Sequence, residues 1–196
     1  MEAFMNRTNT IPRYGLREVG EYYPTPPEFV RGSLQAMWDM DRTGPMKCLD
    51  VAAGKGEFAN EWLNLTGIQA DGFDLMPRPR GFKGRWYRDD FLNSRYGGTY
   101  DRIFMNPPFT LSMPFIHRAF DWLTYETGIL GCFARISFLE GQDRYEELWK
   151  DWKPAKVIIF DARIRNVGRS SDSIGRCFII WQFRSSKSTE LVWHKI

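Results

Sequence analysis

At 196 residues the chain has the size of one domain. With 43% hydrophobic and 26% charged residues it is neither a disordered polymer nor a membrane protein by composition. No stretch approaches the length of an apolar span, and the amino terminus MEAFMNRTNTIPRYG lacks the apolar core of a signal peptide, so a soluble, cytoplasmic protein with no membrane contact is expected. The net charge of +3 permits a polyanionic partner without requiring one. The cysteines Cys48, Cys132 and Cys177 each lie in an apolar run, and with His117 and His194 they form no ligand spacing. Buried reduced thiols and no metal site are expected.

In chain order, residues 1–22 read as an irregular arm. Thr25, Pro26 and Glu28 then predict a helix start with a capping box, followed by an apolar face of Phe29, Val30, Leu34, Met37 and Trp38. A strand is predicted over 46–52, a glycine turn, a helix over 56–65, a strand over 68–75 and an extended segment near 85–88. Strand 100–106 carries Ile103 and Met105 on one face and Phe104 on the other. It leads to a helix over 113–126 capped by Ser112. The continuous apolar run 129–137 suits a strand covered on both faces. A helix near 143–151 and strands over 156–161, 176–183 and 191–193 complete the pattern. Strands alternating with helices predict an α/β fold with a mostly parallel sheet. The strands 156–161 and 176–183, with no helix between them, are expected as an antiparallel hairpin at the sheet edge. No linker divides the chain, so residues 1–196 are expected as one domain.

Such sheets bind ligands beyond the carboxyl ends of their strands, and the motifs fall there. Gly54-x-Gly56-x-x-Ala59, with Asp74 at the end of the next strand, satisfies a dinucleotide fingerprint; a structural turn explains it equally well. Nicotinamide enzymes and enzymes using S-adenosylmethionine (SAM) share this geometry. Asp50, four residues before Gly54, could face the ammonium of SAM through the turn, which tilts the choice toward SAM. Asn106-Pro107-Pro108-Phe109 ends the fourth strand. An exocyclic amine on a nucleobase is a poor nucleophile because its lone pair is delocalised. The side-chain carbonyl of Asn106 and the backbone carbonyl of Pro107, stiffened by adjacent prolines, can accept both of its N–H groups, and Phe109 offers a stacking face. A proline turn with a packing aromatic is the plain alternative.

Taken with Tyr23-Pro24-Thr25-Pro26, Asp50-Val51-Ala52-Ala53-Gly54-Lys55-Gly56, Gly72-Phe73-Asp74 and Asp89-Asp90-Phe91-Leu92, these residues give the chain a resemblance to class I SAM-dependent methyltransferases. Within them it resembles the enzymes that methylate adenine N6 in DNA, small phage and prophage members especially. The resemblance implies a Rossmann-like, seven-stranded sheet and a catalytic Asn106, Pro107, Pro108 and Phe109. It implies cofactor contacts from Tyr23, Thr25, Pro26, Asp50, Ala52, Ala53, Gly54, Gly56 and Asn106. Asp74 would bind the ribose diol, with Leu75 beside it. Asp90 would meet the adenine amine, with Phe91 against that ring, and Thr25 with the following helix N-terminus would receive the methionine carboxylate. Longer restriction-type relatives carry a separate target-recognition domain for which no room exists here, so a short or relaxed recognition site is expected.

Two basic stretches suit phosphate contacts: Arg78, Arg80, Lys83 and Arg85 in one, and Arg163, Arg165 and Arg169 in the other, with Trp86 and Tyr87 available for stacking. Solvated loops are the plain alternative. Nucleic acid, DNA foremost, is the expected partner. An RNA base, a glutamine amide and a non-catalytic nucleic-acid-binding relative are the alternatives, with hydride transfer a distant one. Arg135 within an apolar strand needs a partner that the sequence does not name.

Overall fold

In the computed structural model, residues 24–43, 46–164, 175–182 and 188–196 are described. The arm expected over 1–22, Tyr23, Arg165 and Arg169 lie outside them.

An eight-stranded sheet runs in the order β3-β2-β1-β4-β5-β7-β6-β8. Its strands are β1 (Cys48–Val51), β2 (Ala70–Asp74), β3 (Trp86–Arg88), β4 (Arg102–Met105), β5 (Ile129–Arg135), β6 (Lys156–Phe160), β7 (Arg176–Gln182) and β8 (Glu190–His194). The first five are mutually parallel, and β7 runs antiparallel to both β5 and β6. The expected hairpin forms, yet it is not at the edge. Residues Cys177–Trp181 of β7 are buried without interruption, a pattern that needs a strand on either side. The edge falls to β8, parallel to β6, whose Leu191 and Trp193 face outward.

Alternation along the strands sorts the core into two layers. Phe104, Phe178 and Ile180 point to the side covered by α1 (Pro27–Trp38) and α2 (Glu57–Thr66), where they meet Phe29, Leu34, Phe58 and Trp62. Ile103, Met105, Cys177, Ile179 and Trp181 point to the side covered by α3 (Ser112–Asp121) and by Leu148. The high ring content builds this interior: Phe58 stacks on Phe104 and on Phe178 at centroid distances of 6.3 Å, each such pair adding about 1 kcal/mol beyond area burial. Cys48, Cys132 and Cys177 are buried free thiols, and burial pushes Cys48 and Cys177 up to about 12.

Several boundaries move for identifiable reasons. α3 stops at Asp121 because the chain peels off to bridge the strand before β4: Tyr100 N–H donates to Trp122 O, and Thr124 N–H donates to Tyr100 O. Ser112 is the first residue of α3 and not its cap; its hydroxyl donates to Phe109 O. The segment expected as a helix near 143–151 is a short α4 (Gln142–Arg144) that runs on as a π-helical turn, Tyr145–Trp149.

At the amino ends of the strands sits a buried charge. Arg102, 2% exposed, pairs with Asp41 at 2.8 Å and donates to the carbonyls of Asp41, Asp101 and Thr127. The Asp41 carboxyl is held below its ordinary range, first by the Thr43 hydroxyl and further by Arg102. Removing one partner strands a charge in the interior, so Asp41→Ala is expected to cost about 3 kcal/mol. Urea unfolding should show a lower midpoint at unchanged slope; an unaltered midpoint would show that the pair does not hold the strand.

Candidate active site at the carboxyl ends of the strands

The order around β1 creates the crevice. β2 lies on one side of β1 and β4 on the other, so connections leave in opposite directions and open a gap above β1. The loop that crosses the gap is tightly built. Ala52, Gly54 and Gly56 all adopt positive φ, at 56°, 55° and 81°. For Ala52 this is a costly conformation of the sort kept at ligand sites. A Cβ on Gly56 would lie 2.8 Å from the Phe82 ring, so glycine is required twice over.

Carboxylates hold the loop in place. Asp74 Oδ2 accepts the Gly54 N–H and Oδ1 accepts the Met76 N–H, both at 2.8 Å; each oxygen retains a second lone pair. Asp50, expected to face a ligand ammonium, is instead 1% exposed, with Oδ2 accepting the Ala59 N–H at 2.9 Å. Gly56, the N-cap of α2, has no side chain, and Asp50 takes over the capping from β1. Its contact with any ligand therefore runs through the loop it supports. Burial raises the Asp50 carboxyl well above its ordinary range, against the lowering effect of the Ala59 N–H.

Beyond β3, Asp90 accepts the Leu92 N–H and the Asn93 side-chain amide, forming a local turn. Phe91 departs from its expected role: it is 3% exposed and packed against Phe73, Phe115 and Trp122, inside the layer beneath the crevice. Exposed apolar surface beside Asp74 comes from Leu75, as expected, and from Met76, which the sequence did not single out.

On the other side of β1, Asn106 leaves β4 with its amide fixed. Nδ2 donates to Thr25 Oγ1 at 2.8 Å, and Thr25 is itself buried. Thr25 is thus not the helix cap: that position belongs to Pro26. The Pro108 carbonyl accepts the Leu111 N–H, whereas among the described residues no N–H donates to the Pro107 carbonyl. Thr25, Asn106, Phe109, Phe133, Ile164 and Arg176 line a small, shallow recess. None of these carries a carboxylate or an imidazole; His117 stands exposed on α3.

Phe109 does not present a bare ring. The guanidinium carbons of Arg135 and Arg176 lie 4.5 and 4.8 Å from its centroid. This is the partner that Arg135 required. Arg176, which the sequence did not single out, also lines the recess. The lone arginine in the apolar run 129–137 was the one signal for this cluster.

Arg78, Arg80, Lys83 and Arg85 are exposed between β2 and β3, and Arg163 is exposed after β6, on opposite flanks of the recess. Trp86 and Tyr87 are engaged within the protein, Trp86 against Phe82 and Tyr87 against Phe73. Among the described residues no group of side chains could hold a metal ion, and no helix is long and apolar enough to cross a membrane.

The raised Asp50 carboxyl fixes the sign of a pH effect. Folding favours its protonated form, so its contribution is full below the unfolded value of about 3.9 and is lost as pH rises through the folded one. Asp50→Asn, which keeps an acceptor for Ala59, should therefore gain stability over the native protein between about pH 4 and pH 7. Urea midpoints at both ends of that range test this; a variant that weakens relative to the native protein as pH rises would reverse the assignment.

No protein-family model matches the chain, and no curated protein sequence does. Solved structures do. A type I restriction-modification methyltransferase subunit from Streptococcus thermophilus superposes with a TM-score of 0.70 at 15% identity, over 90% of this chain and 48% of that one. A candidate RNA methyltransferase from Pyrococcus horikoshii gives 0.65 at 16% identity, over 83% and 87%. A 1,6-didemethyltoxoflavin-N1-methyltransferase from Burkholderia thailandensis, determined with S-adenosylhomocysteine, gives 0.54 at 14% identity, over 80% and 77%. The chain has the Rossmann-like fold of these methyltransferases, with an eighth strand at its edge.

Proposed function

We propose that this protein transfers a methyl group from SAM to the exocyclic N6 amine of adenine in DNA. The observation that carries the proposal is the tethered amide of Asn106 at the end of β4, one residue beyond the register partner of Val51, from which β1 enters its strained glycine loop.

The residues above β1 and β2 fit SAM. The spare lone pairs of Asp74 suit a ribose diol, Leu75 and Met76 offer apolar cover for a purine, and the small residues Ala52, Ala53, Gly54 and Gly56 let the backbone approach closely. Asp90 would receive the purine amine, while Phe91 supports the floor. Thr25 and Pro26 open α1 toward the carboxylate end of the ligand. When bound, SAM supplies an electrophilic methyl on a sulfonium.

On the acceptor side, Asn106 Oδ1 takes one amine N–H and the Pro107 carbonyl takes the other. Withdrawing both hydrogens from the ring plane returns lone-pair density to nitrogen. Thr25 accepts from Nδ2 and tethers the amide at its donor end. Pro107 and Pro108 limit backbone motion, and Phe109 borders the base plane. The nitrogen that gains the methyl becomes acidic, and its proton passes to water. This accounts for a recess without a carboxylate or imidazole. Catalysis then rests on alignment and on acceptors placed in advance. Arg78, Arg80, Lys83, Arg85 and Arg163 supply the flanking positive surface.

RNA as the acceptor is the second reading, favoured by the similarity to the Pyrococcus horikoshii protein, which runs over most of both chains, whereas the restriction-modification subunit is matched over about half its length.

Methyl transfer from labelled SAM to DNA, RNA and protein, followed by identification of the modified base, tests the proposal. N6-methyladenine is expected in DNA, with Asn106→Ala lowering the rate at least about a hundredfold. Labelled RNA alone would move the assignment to the second reading, and equal rates in both forms would remove Asn106 from its role. Thr25→Val is expected to lower kcat about tenfold, the worth of one orienting hydrogen bond. A loss confined to SAM affinity would make Thr25 a cofactor contact only.

A further inference from the structure

The edges of the sheet are not built alike. At one, β3 is three residues long, follows Arg85 and ends on Arg88, and its Trp86 and Tyr87 rings pack against Phe82 and Phe73. Short length and charge keep an edge from pairing with another chain. The other edge, β8, has neither protection in the same measure: it is five residues long, and residues 188–196 contain no proline. Its Leu191 and Trp193 are 47% and 67% exposed. They share a face of the strand, and their register partners in β6, Val157 and Ile159, belong to the core layer on the α3 side. The backbone of β8 also has bonds to give. Glu190 N–H donates to Ala155 O, and His194 O accepts the Asp161 N–H. In a parallel ladder a residue directs its N–H and C=O to one side, and successive residues alternate. Glu190, Val192 and His194 therefore serve β6. Leu191 and Trp193 turn their groups outward, where among the described residues no strand meets them.

The order of residues along β8 decides what fits against it. The strand opens on Glu190 and closes on His194, followed by Lys195. A parallel copy of the same strand would set acid beside acid and base beside base. An antiparallel copy about a twofold axis sets the acidic end against the basic end on both sides of the axis. Glu190 keeps its ion pair with Lys156 of its own chain and remains exposed there. With Val192 on the axis, Leu191 of one copy lies opposite Trp193 of the other, and Glu190 opposite His194. The outward N–H and C=O groups of residues 191 and 193 then meet as hydrogen-bonded pairs. Leu191 and Trp193 point to the same side in such a pair and cover each other. We propose that β8 joins a second copy of this chain as an antiparallel strand pair, so that one sheet runs through a twofold dimer. Trp193 is its anchor, a residue type enriched where interfaces bind most strongly. The isologous contact uses up the exposed edge of both copies, so the association closes at the dimer.

Sedimentation of the full chain across a dilution series tests the pairing. The mass of the native protein should rise from 23.0 kDa toward twice that value. Trp193→Lys and Leu191→Lys, both at exposed positions, should each raise the dissociation constant at least about tenfold. Tyr96→Lys, at an exposed ring beside Tyr87 of β3, should leave that constant unchanged. Oxidation reads the register. An equal mixture of Leu191→Cys and Trp193→Cys chains should yield a disulfide-linked dimer, because opposed Cα atoms in a hydrogen-bonded pair lie about 5.5 Å apart. Neither variant alone should cross-link, since the native cysteines are buried. Should a Lys variant fail to melt cooperatively, the cross-link decides the matter. A native chain that stays monomeric throughout the series would overturn the proposal, as would a dimer that survives Trp193→Lys at native affinity. Cross-linking within either Cys variant alone, with none gained in the mixture, would overturn the antiparallel register.

Discussion

The hydrogen bond from Asn106 to Thr25 spans 81 residues of sequence and ties the end of β4 to the segment that opens α1. An amide has a donor end and an acceptor end of nearly equal shape, and only an external partner decides which faces a ligand. Thr25, buried at the entry to α1, accepts from the donor end and tethers the amide to that helix.

Charge is divided across the crevice. Asp74 stands on the β1–β2 side, engaged with the backbone N–H of Gly54 in the glycine loop. Arg135 and Arg176 stand on the β5–β7 side against Phe109.

Periodicity and turn chemistry made most of the fold readable. The alternation of Ile103, Phe104 and Met105 assigned faces correctly, and apolar runs located the buried strands. Boundaries failed where tertiary pairing competed with helical spacing, as when Tyr100 drew Trp122 and Thr124 away from α3. The hairpin of β6 and β7 formed as expected, but the edge passed to β8, because a sequence shows that a strand is buried without showing which strands bury it. In the site, the motif residues Asp74, Asn106 and Phe109 reached the crevice. Asp50 and Phe91 did not present themselves as anticipated: the first serves the orphan N–H groups of α2 and the second fills the layer below. Those roles depend on neighbours distant in sequence. The pairing of Arg135 with Arg176 likewise depends on β7 lying beside β5, which local reading could not supply.

The ion pair of Arg102 with Asp41, together with the Asp101 carboxylate that accepts the Lys47 N–H, secures the sheet at the rim opposite the crevice. Anchorage and chemistry therefore occupy separate ends of the same strands. Loops on the crevice side can lengthen, shorten or change charge while the frame stays clamped from below, so a small scaffold of this kind can acquire new target preferences without refounding its architecture.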